Sequence, residues 1–238
     1  HTRCSRDWSS DVCSSDLFTL KDGKLTQGAF FKMAATQTKE ENCVAHNGGL
    51  IPVPGRDIMA QGWYQGGLDL IDFTDAAHPY EIAYFDRGPV DATKLVTAGY
   101  WGAYWYNGHL YGSEIARGLD VFELTPSEYL SQNEIDAAKS VRFEQYNPQM
   151  QPKLVWPASF AVVRSYVDQL VRGSGIAPAR SATINTGIDA AEKASGTTRK
   201  AILDRLATGL VADVSTAKDV VRVKRLIGAL KDLAAATK

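Results

Sequence analysis

The chain has 238 residues, of which 45% are hydrophobic and 22% are charged, and its formal net charge is −1. This composition is typical of a globular protein with a hydrophobic core, and no run of about 18 apolar residues predicts a transmembrane segment. The charge is divided, with a net −7 over residues 1–153 and +6 over residues 154–238. Basic and acidic residues alternate at helical spacing in the second part, which favours a solvated helix surface over a nucleic-acid or anionic-surface site.

The first 17 residues are polar and low in complexity, and Asp7-Trp-Ser-Ser-Asp-Val-Cys-Ser-Ser-Asp-Leu17 is their central stretch. They lack the charged start and apolar core of a signal peptide. Read back into codons, they resemble a translated sequencing adapter joined to a truncated gene, and the alternative is a natural disordered leader. We therefore expect residues 1–17 to lie outside the fold, and expect that an export signal has been lost upstream. Without Cys4 and Cys13, only Cys43 remains, which predicts no internal disulfide and no cysteine metal site.

Short strands separated by turn residues are predicted between Phe18 and Asp86. Lys21-Asp-Gly-Lys24 is a turn signal, and the alternating residues 25–33 predict a strand that closes a preceding sheet. A strand ending at His46 is followed by a Gly-Gly turn and by a loop with two prolines. Three further strands complete a four-stranded sheet, and they are predicted at Ile58–Gln61, Leu68–Phe73 and Tyr80–Asp86.

One strand phrase occurs twice, since Gly67-Leu-Asp69 recurs 51 residues later as Gly118-Leu-Asp120. A fixed offset of about 40 to 50 residues between strand pairs is typical of β-propeller blades. In the second copy, Asn107-Gly108 predicts a tight hairpin turn. Its strands are predicted at residues 99–106, 109–114 and 119–124. Because Asp69 and Asp120 recur with the repeat, we interpret them as turn or ladder residues and not as a site.

The hydrophobic period changes to that of helices after Leu124. Thr125-Pro-Ser-Glu128 is a capping box that predicts one or two short helices up to Lys139. Apolar stripes then predict four helices, one ending at Gly173 and the last opened by Thr216-x-x-Asp219. The fold class is therefore mixed, β then α: a partial β-propeller of about two antiparallel blades followed by a small helical bundle. The predicted regions are a propeller at 18–144, a linker at 145–156 and the bundle at 157–238.

The stretch Leu68-Asp-Leu-Ile-Asp-Phe-Thr-Asp-Ala-Ala-His-Pro79 resembles the LVIVD repeat, a propeller-forming repeat of bacterial proteins. The second copy, Leu119-Asp-Val-Phe-Glu-Leu-Thr-Pro126, keeps the strand but has Glu123 where the repeat ends in Asp. The resemblance covers about residues 25–130, and the helical tail is similar to small C-terminal modules of secreted bacterial proteins. It implies a propeller fold and a secreted or cell-surface location, and it implies no catalytic residue.

Nine polar and aromatic residues near strand ends form the candidate ligand-binding set. Trp offers a flat face to sugars or cations, and Arg binds carboxylate or phosphate with two hydrogen bonds. The alternative is that the aromatic rings fill the space between blades and that Asp86 and Arg87 form an ion pair. The binding hypothesis predicts a Trp at the surface near His46 and Arg87. The nine residues are His46, Arg56, Trp63, Asp86, Arg87, Trp101, Trp105, His109 and Glu114.

No sequence motif of a known catalytic class is present. The chain lacks H-E-x-x-H, G-x-S-x-G, a P-loop and a dinucleotide fingerprint, so we predict no catalytic residue and no cofactor. The sequence therefore favours an exported, non-catalytic binding or scaffold protein whose partner is a small molecule, a glycan or a protein. The alternative is a metal-assisted enzyme that uses His46, His109 and Glu114 and is completed by missing N-terminal blades.

Overall fold

The computed structural model describes residues 15–147, 150 and 152–238, which contain nine strands and five α-helices. The chain divides into two compact units. The β unit comprises the described residues up to Pro52 together with Arg56–Leu124 and the described part of 142–152. The helical unit comprises Val53–Gly55, Thr125–Val141 and Lys153–Lys238. The predicted order of sheets followed by helices is confirmed, whereas the arrangement of the sheets as propeller blades stays a prediction.

The first sheet is a hairpin of β1 (Ser15–Lys21) and β2 (Lys24–Phe31). Its turn is the predicted one, with Asp22 and Gly23 at φ values of 50° and 73°. The expectation that the fold begins after residue 17 is wrong, because Ser15 and Asp16 already pair with the end of β2. Residues 1–14 of the predicted leader lie outside the described residues.

The second sheet has four antiparallel strands whose spatial order follows the chain. Three of the four predicted strands are confirmed, but the first lies after His46 and not before it. In its place Gly48 and Gly49, predicted as a turn, pair with Gln61 and Ala60. A side chain at Gly48 would lie 2.1 Å from the carbonyl oxygen of Ala60, so only glycine allows this pairing. The strands are β3 (Gly48–Ile51), β4 (Ile58–Gly62), β5 (Leu68–Asp72) and β6 (Tyr80–Phe85).

The third sheet contains β7 (Tyr100–Tyr106), β8 (His109–Glu114) and β9 (Gly118–Phe122) in that order. The predicted hairpin turn is confirmed, since Asn107 and Gly108 both have positive φ values, of 48° and 100°. This is the conformation that the right-handed twist of two-residue hairpins requires.

The helical unit starts later than the sequence suggests. Its first helix, α1 (Gln132–Lys139), is capped by a reciprocal pair of hydrogen bonds between Ser131 and Glu134. The capping box predicted at Thr125 is therefore wrong, because a second Ser-x-x-Glu motif six residues later is the one that is used. The remaining helices are α2 (Phe160–Arg172), α3 (Pro178–Lys193), α4 (Gly196–Leu210), a 3₁₀ helix (Ala212–Ser215) and α5 (Val220–Ala236).

The helices pack on one continuous apolar cluster that contains the predicted inward residues Val163, Leu170 and Leu230. Val171, predicted in the same stripe, is 52% exposed, because it lies beyond the edge of the buried face of α2. The last helix is capped by Asp219, whose side chain accepts a hydrogen bond from the Arg222 amide, and not by Thr216. No helix among the described residues is long and apolar enough to cross a membrane.

The core of the β unit is smaller and includes Phe31, Cys43 and Trp63. Cys43 is disulfide-bonded, so the expectation of no disulfide is wrong, and its partner lies outside the described residues. Cys43 is buried, since only 5% of the residue is exposed.

Candidate functional site

An aromatic group at the surface of the β unit brings together two of the predicted residues. Trp101 is 51% exposed, and the centroid of its ring lies 4.2 Å from that of His46. Tyr64 packs edge-on against both rings, with its centroid 4.7 Å from that of His46 and 6.0 Å from that of Trp101. We call His46, Tyr64 and Trp101 the aromatic platform. Of the prediction of a surface Trp near His46 and Arg87, the part that concerns His46 is confirmed for Trp101, whereas Arg87 contacts Asp120 and Tyr100.

Hydrogen bonds fix the orientation of the platform. His46 Nδ1 lies 2.5 Å from the carbonyl oxygen of Trp101, a contact that requires the proton to be on Nδ1. The carbonyl oxygen of His46 itself accepts a hydrogen bond from the buried side chain of Gln61. Hydrogen bonds therefore hold both the ring and the backbone of His46, and the ring packs against the indole of Trp101.

Tyr64 has a left-handed backbone, with a φ value of 52°. This conformation costs a non-glycine residue about 1–2 kcal/mol. It is maintained by two hydrogen bonds with Tyr100 on β7, of 2.8 and 3.3 Å. Gly99 makes the close approach possible, since a Cβ there would lie 1.8 Å from the carbonyl carbon of Tyr64. No sequence pattern indicates this left-handed backbone, and reasoning from the sequence therefore missed Tyr64.

A polar side chain adjoins the platform. Asn47 is exposed, and its Cβ lies 3.4 Å from the position that a side chain on Gly102 would occupy. Asn47 directly follows His46 in the chain and therefore adjoins the platform. No hydrogen bond to this amide is formed within the part of the chain that the structure describes. A flat apolar face is thus combined with an amide that can both donate and accept hydrogen bonds.

Arg87 belongs to a second cluster. Its guanidinium is paired with the Asp120 carboxylate and donates a hydrogen bond of 3.1 Å to the Tyr100 hydroxyl. It also lies 5.6 Å from the centre of the Phe85 ring. Burial and the neighbouring Asp120 carboxylate raise the pKa of the Tyr100 hydroxyl. The alternative of an Asp86–Arg87 ion pair is wrong, because Arg87 pairs with Asp120 while Asp86 accepts the backbone N–H of Gly88.

Four predicted ligand-binding residues are buried and have structural roles. Trp63 and Trp105 are 0% and 3% exposed and fill the interior of the β unit, so neither presents a face to a ligand. Arg56 is paired with Asp72 inside the sheet, with an Nε to Oδ2 distance of 2.9 Å. Glu114 accepts the Gly99 amide at 2.5 Å and also the Arg117 amide, and thus ties the segment before β7 to the turn between β8 and β9.

The predicted metal ligands do not converge. His109 and Glu114 occupy the two ends of β8, so about 17 Å of strand separates them at ~3.4 Å per residue. His109 instead contacts Glu123, with an Nε2 to Oε1 distance of 3.1 Å. Within the described residues no group of three His, Cys, Asp or Glu side chains is arranged to hold a metal ion. The hypothesis of a metal-assisted site made from His46, His109 and Glu114 receives no support from this geometry.

Reasoning from the sequence also missed the environment of the buried carboxyl group of Asp69. Asp69 is 2% exposed, and its Oδ2 atom has no hydrogen-bond partner among the described groups. Burial first, and then the negative charges of Glu81 and Asp86, raise the pKa of Asp69 to about 8. Asp120, its equivalent in the repeat, is paired with Arg87 instead. The two copies of the motif therefore place the same residue in opposite electrostatic environments.

Comparison with known proteins adds no family to this geometry. None of the family models, curated proteins or solved structures compared with the chain matches it.

Proposed function

We propose that the β unit is a non-catalytic ligand-binding module of an exported protein, and that it binds a glycan through the aromatic platform. The sheets are, in this proposal, blades of a propeller of the LVIVD type. The support for the blades is the recurrence of one strand phrase in two successive antiparallel sheets. The support for binding is the platform itself.

The observation that carries the proposal is the exposed indole of Trp101 on a rigid support. A large aromatic ring that is 51% exposed represents apolar surface left in water. The indole packs against the rings of His46 and Tyr64, and the backbone of Tyr64 is strained. Residues held in strained conformations cluster at binding sites. The protein thus maintains an exposed flat face at a cost in stability.

The chemistry of this surface favours a sugar ring over the other candidate ligands. The C–H face of a pyranose packs on an indole, and its hydroxyl groups pair with an amide such as that of Asn47. None of the ion pairs among the described residues involves His46, Tyr64 or Trp101, which disfavours a strongly charged ligand. A protein partner would need a contact area of about 800 Å² on each side, far larger than three rings.

The test is a binding assay with cellohexaose, chitohexaose and xylohexaose against three forms of the whole chain. We expect at least one oligosaccharide to bind, and we expect Trp101→Ala to weaken it about tenfold or more, equivalent to ~1.4 kcal/mol. Tyr84→Ala is the matched control, because Tyr84 is an aromatic residue on the edge strand β6 that is 69% exposed, more than Trp101. A Trp101→Ala affinity equal to that of the unmodified protein would contradict the proposal.

A further inference from the structure

The helical unit contains a pocket that the proposed function does not use. Its volume is about 200 Å³, and it lies between the segment that precedes α2 and the facing sides of α2 and α5. Trp156, Val162 and Tyr166 form one side, and Arg225, Gly228 and Asp232 lie on the other. All of these residues belong to the helical unit, so the pocket is independent of the aromatic platform.

One cation that lines this pocket is unpaired within the part of the chain that the structure describes. Arg164, Arg172, Arg180 and Arg222 each form an ion pair with a carboxylate. Arg225 forms neither an ion pair nor a hydrogen bond with any described residue, although Asp232 stands on the same helix. The Arg225 guanidinium therefore retains all its donors for a molecule in the pocket.

A second donor lies beside it. Tyr166 lines the pocket, and its hydroxyl has no hydrogen-bond partner in the described structure, although the residue is only 9% exposed. A Cβ on Gly55 would lie 2.7 Å from Tyr166 Cε1 and 3.1 Å from Arg225 Nη1, so the tyrosine ring and the guanidinium are neighbours. Burial raises the pKa of Tyr166, which keeps the hydroxyl protonated and able to donate at neutral pH.

We propose that this pocket binds a small organic monocarboxylate, with its carboxylate held by Arg225 and Tyr166 and its apolar part against Trp156 and Val162. A guanidinium fork matches a carboxylate with two parallel hydrogen bonds, and a tyrosine hydroxyl supplies a third donor. The apolar wall distinguishes such a ligand from inorganic phosphate, which would leave the wall in contact with water.

Asp232 sets the selectivity. It follows Arg225 by seven residues on α5, which corresponds to about 10 Å along the helix axis at ~1.5 Å per residue. A carboxylate bound at Arg225 is thus well separated from Asp232, while a second negative charge at the far end of the ligand would approach it. The pocket therefore rejects dicarboxylates of matching length and accepts a neutral or cationic far end.

The experiment measures binding of 4-phenylbutyrate to the whole chain by titration calorimetry and by ligand-observed NMR. The neutral analogue 4-phenylbutyramide has the same shape without the charge, and inorganic phosphate has the charge without the apolar body. We expect saturable binding of the acid in the millimolar range or tighter, with the amide and phosphate each at least tenfold weaker.

Two variants and one control locate the binding. Arg225→Gln removes the guanidinium and is expected to weaken binding of the acid at least tenfold. Arg205→Gln has the same charge change at an exposed, unpaired arginine of α4 and is expected to leave affinity unchanged. Gly228→Leu is expected to abolish binding and preserve the fold, because a Cβ at Gly228 meets no atom within 4 Å and the added side chain extends into the pocket.

Three results would overturn the proposal. They are equal affinity for the acid and its amide, an Arg225→Gln variant that binds as the unmodified protein does, and no saturable binding of the acid in the millimolar range. A preference for phosphate over the acid would likewise assign the pocket to a different ligand. None of these results bears on the aromatic platform, which uses other residues.

Discussion

The β unit and the helical unit bury different kinds of side chain. The helical core is almost entirely apolar, and its one fully buried carboxylate, Glu134, is paired with Arg172. The β unit instead encloses several ionisable groups, among them Arg56, Asp69 and Glu114. The helical unit therefore depends on packing, and the β unit depends also on the pairing and protonation of buried polar groups.

The two units also differ in the apolar surface that they expose. In the β unit, Leu20, Leu25, Tyr84 and Leu119 are each at least 65% exposed, and all four lie on strands at the edge of a sheet. Unpaired strand edges that carry apolar side chains favour association with other chains. We therefore expect the protein to be poorly soluble, and a cooperative melt of a monomer in solution would refute this expectation.

The largest expected effect tests the buried ion pair of the β unit. Replacing Arg56 with Met leaves the Asp72 carboxylate buried without its cation, which costs about 3–5 kcal/mol of unfolding free energy. Burial alone raises the pKa of Asp72, but the Arg56 charge and hydrogen bonds from Thr74 and Arg56 outweigh it and hold the pKa below its ordinary value. Denaturant unfolding followed by circular dichroism measures the loss.

The matched control for this variant is Arg87→Met. Arg87 also pairs with an aspartate, but its side chain is 33% exposed and that of Asp120 is 26% exposed. A partly exposed pair contributes only about 0–1 kcal/mol. A loss of less than about 1 kcal/mol for Arg56→Met would mean that Arg56 is not a structural residue, and would return it to the candidate ligand-binding set.

The next effect tests the packing of the helical unit. Leu170→Ala deletes a fully buried side chain from α2 and is expected to cost about 2–5 kcal/mol through the cavity that it leaves. Val171→Ala, at the adjacent and 52% exposed position, is expected to change stability by less than about 0.5 kcal/mol. Similar losses at both positions would contradict the boundary of the buried face, and thermal unfolding of both variants decides between them.

A smaller effect concerns the pH dependence of stability, to which Asp69 of the β unit contributes. The pKa of Asp69 is about 8 in the folded protein against an ordinary value of 3.8, so the folded state binds a proton more tightly than the unfolded chain. Its contribution to stability is complete below pH 4 and is lost as pH rises towards 8. We expect a fall of at least about 1.4 kcal/mol over this interval, the equivalent of one pKa unit.

Asp69→Asn removes this titration and is expected to flatten the pH dependence of unfolding. Asp136→Asn makes the same change at an exposed residue of α1 and should leave the pH dependence as it was. Unfolding measured from pH 4 to pH 9 gives the comparison. A free energy of unfolding that rises from pH 4 to pH 9 in the unmodified protein but not in Asp69→Asn would contradict the raised pKa of Asp69.

The smallest effect on stability concerns Tyr64. Tyr64→Gly relieves the left-handed backbone, worth about 1–2 kcal/mol, but loses an aromatic contact with His46 worth ~0.5–1.5 kcal/mol. We expect these terms to offset each other, so that unfolding changes by less than about 1 kcal/mol while oligosaccharide binding weakens. A Tyr64→Gly variant that binds oligosaccharide normally would show that the strain has no role in binding.

The elements that were predicted correctly have local signals. Asn107-Gly108 adopts positive φ at both positions at low cost, and the apolar stripe of α2 repeats at the helical period. β3 was misplaced because its glycines are poor strand formers, and only the close approach of Ala60 makes Gly48 necessary there. Signals within a few residues were therefore sufficient for turns and helices but not for this pairing.

The candidate site was predictable only in part. A surface tryptophan near His46 followed from the composition of the loops, but no sequence signal favours Trp101 over Trp63 or Trp105. That choice depends on which face of each strand is covered, which is set by contacts distant in the chain. Asp69 and Asp120 make the same point, since identical repeat positions face Glu81 in one copy and Arg87 in the other.

Oxidative footprinting of the tryptophans tests the central claim most directly. Under dilute N-bromosuccinimide, with peptide mass spectrometry as the readout, we expect Trp101 to be oxidised well before Trp63 and Trp105, which are at most 3% exposed. A bound oligosaccharide is expected to slow oxidation of Trp101 and leave that of Trp156 unchanged. Oxidation of Trp101 at the same rate with and without a bound oligosaccharide would contradict the assignment of the aromatic platform as the binding site.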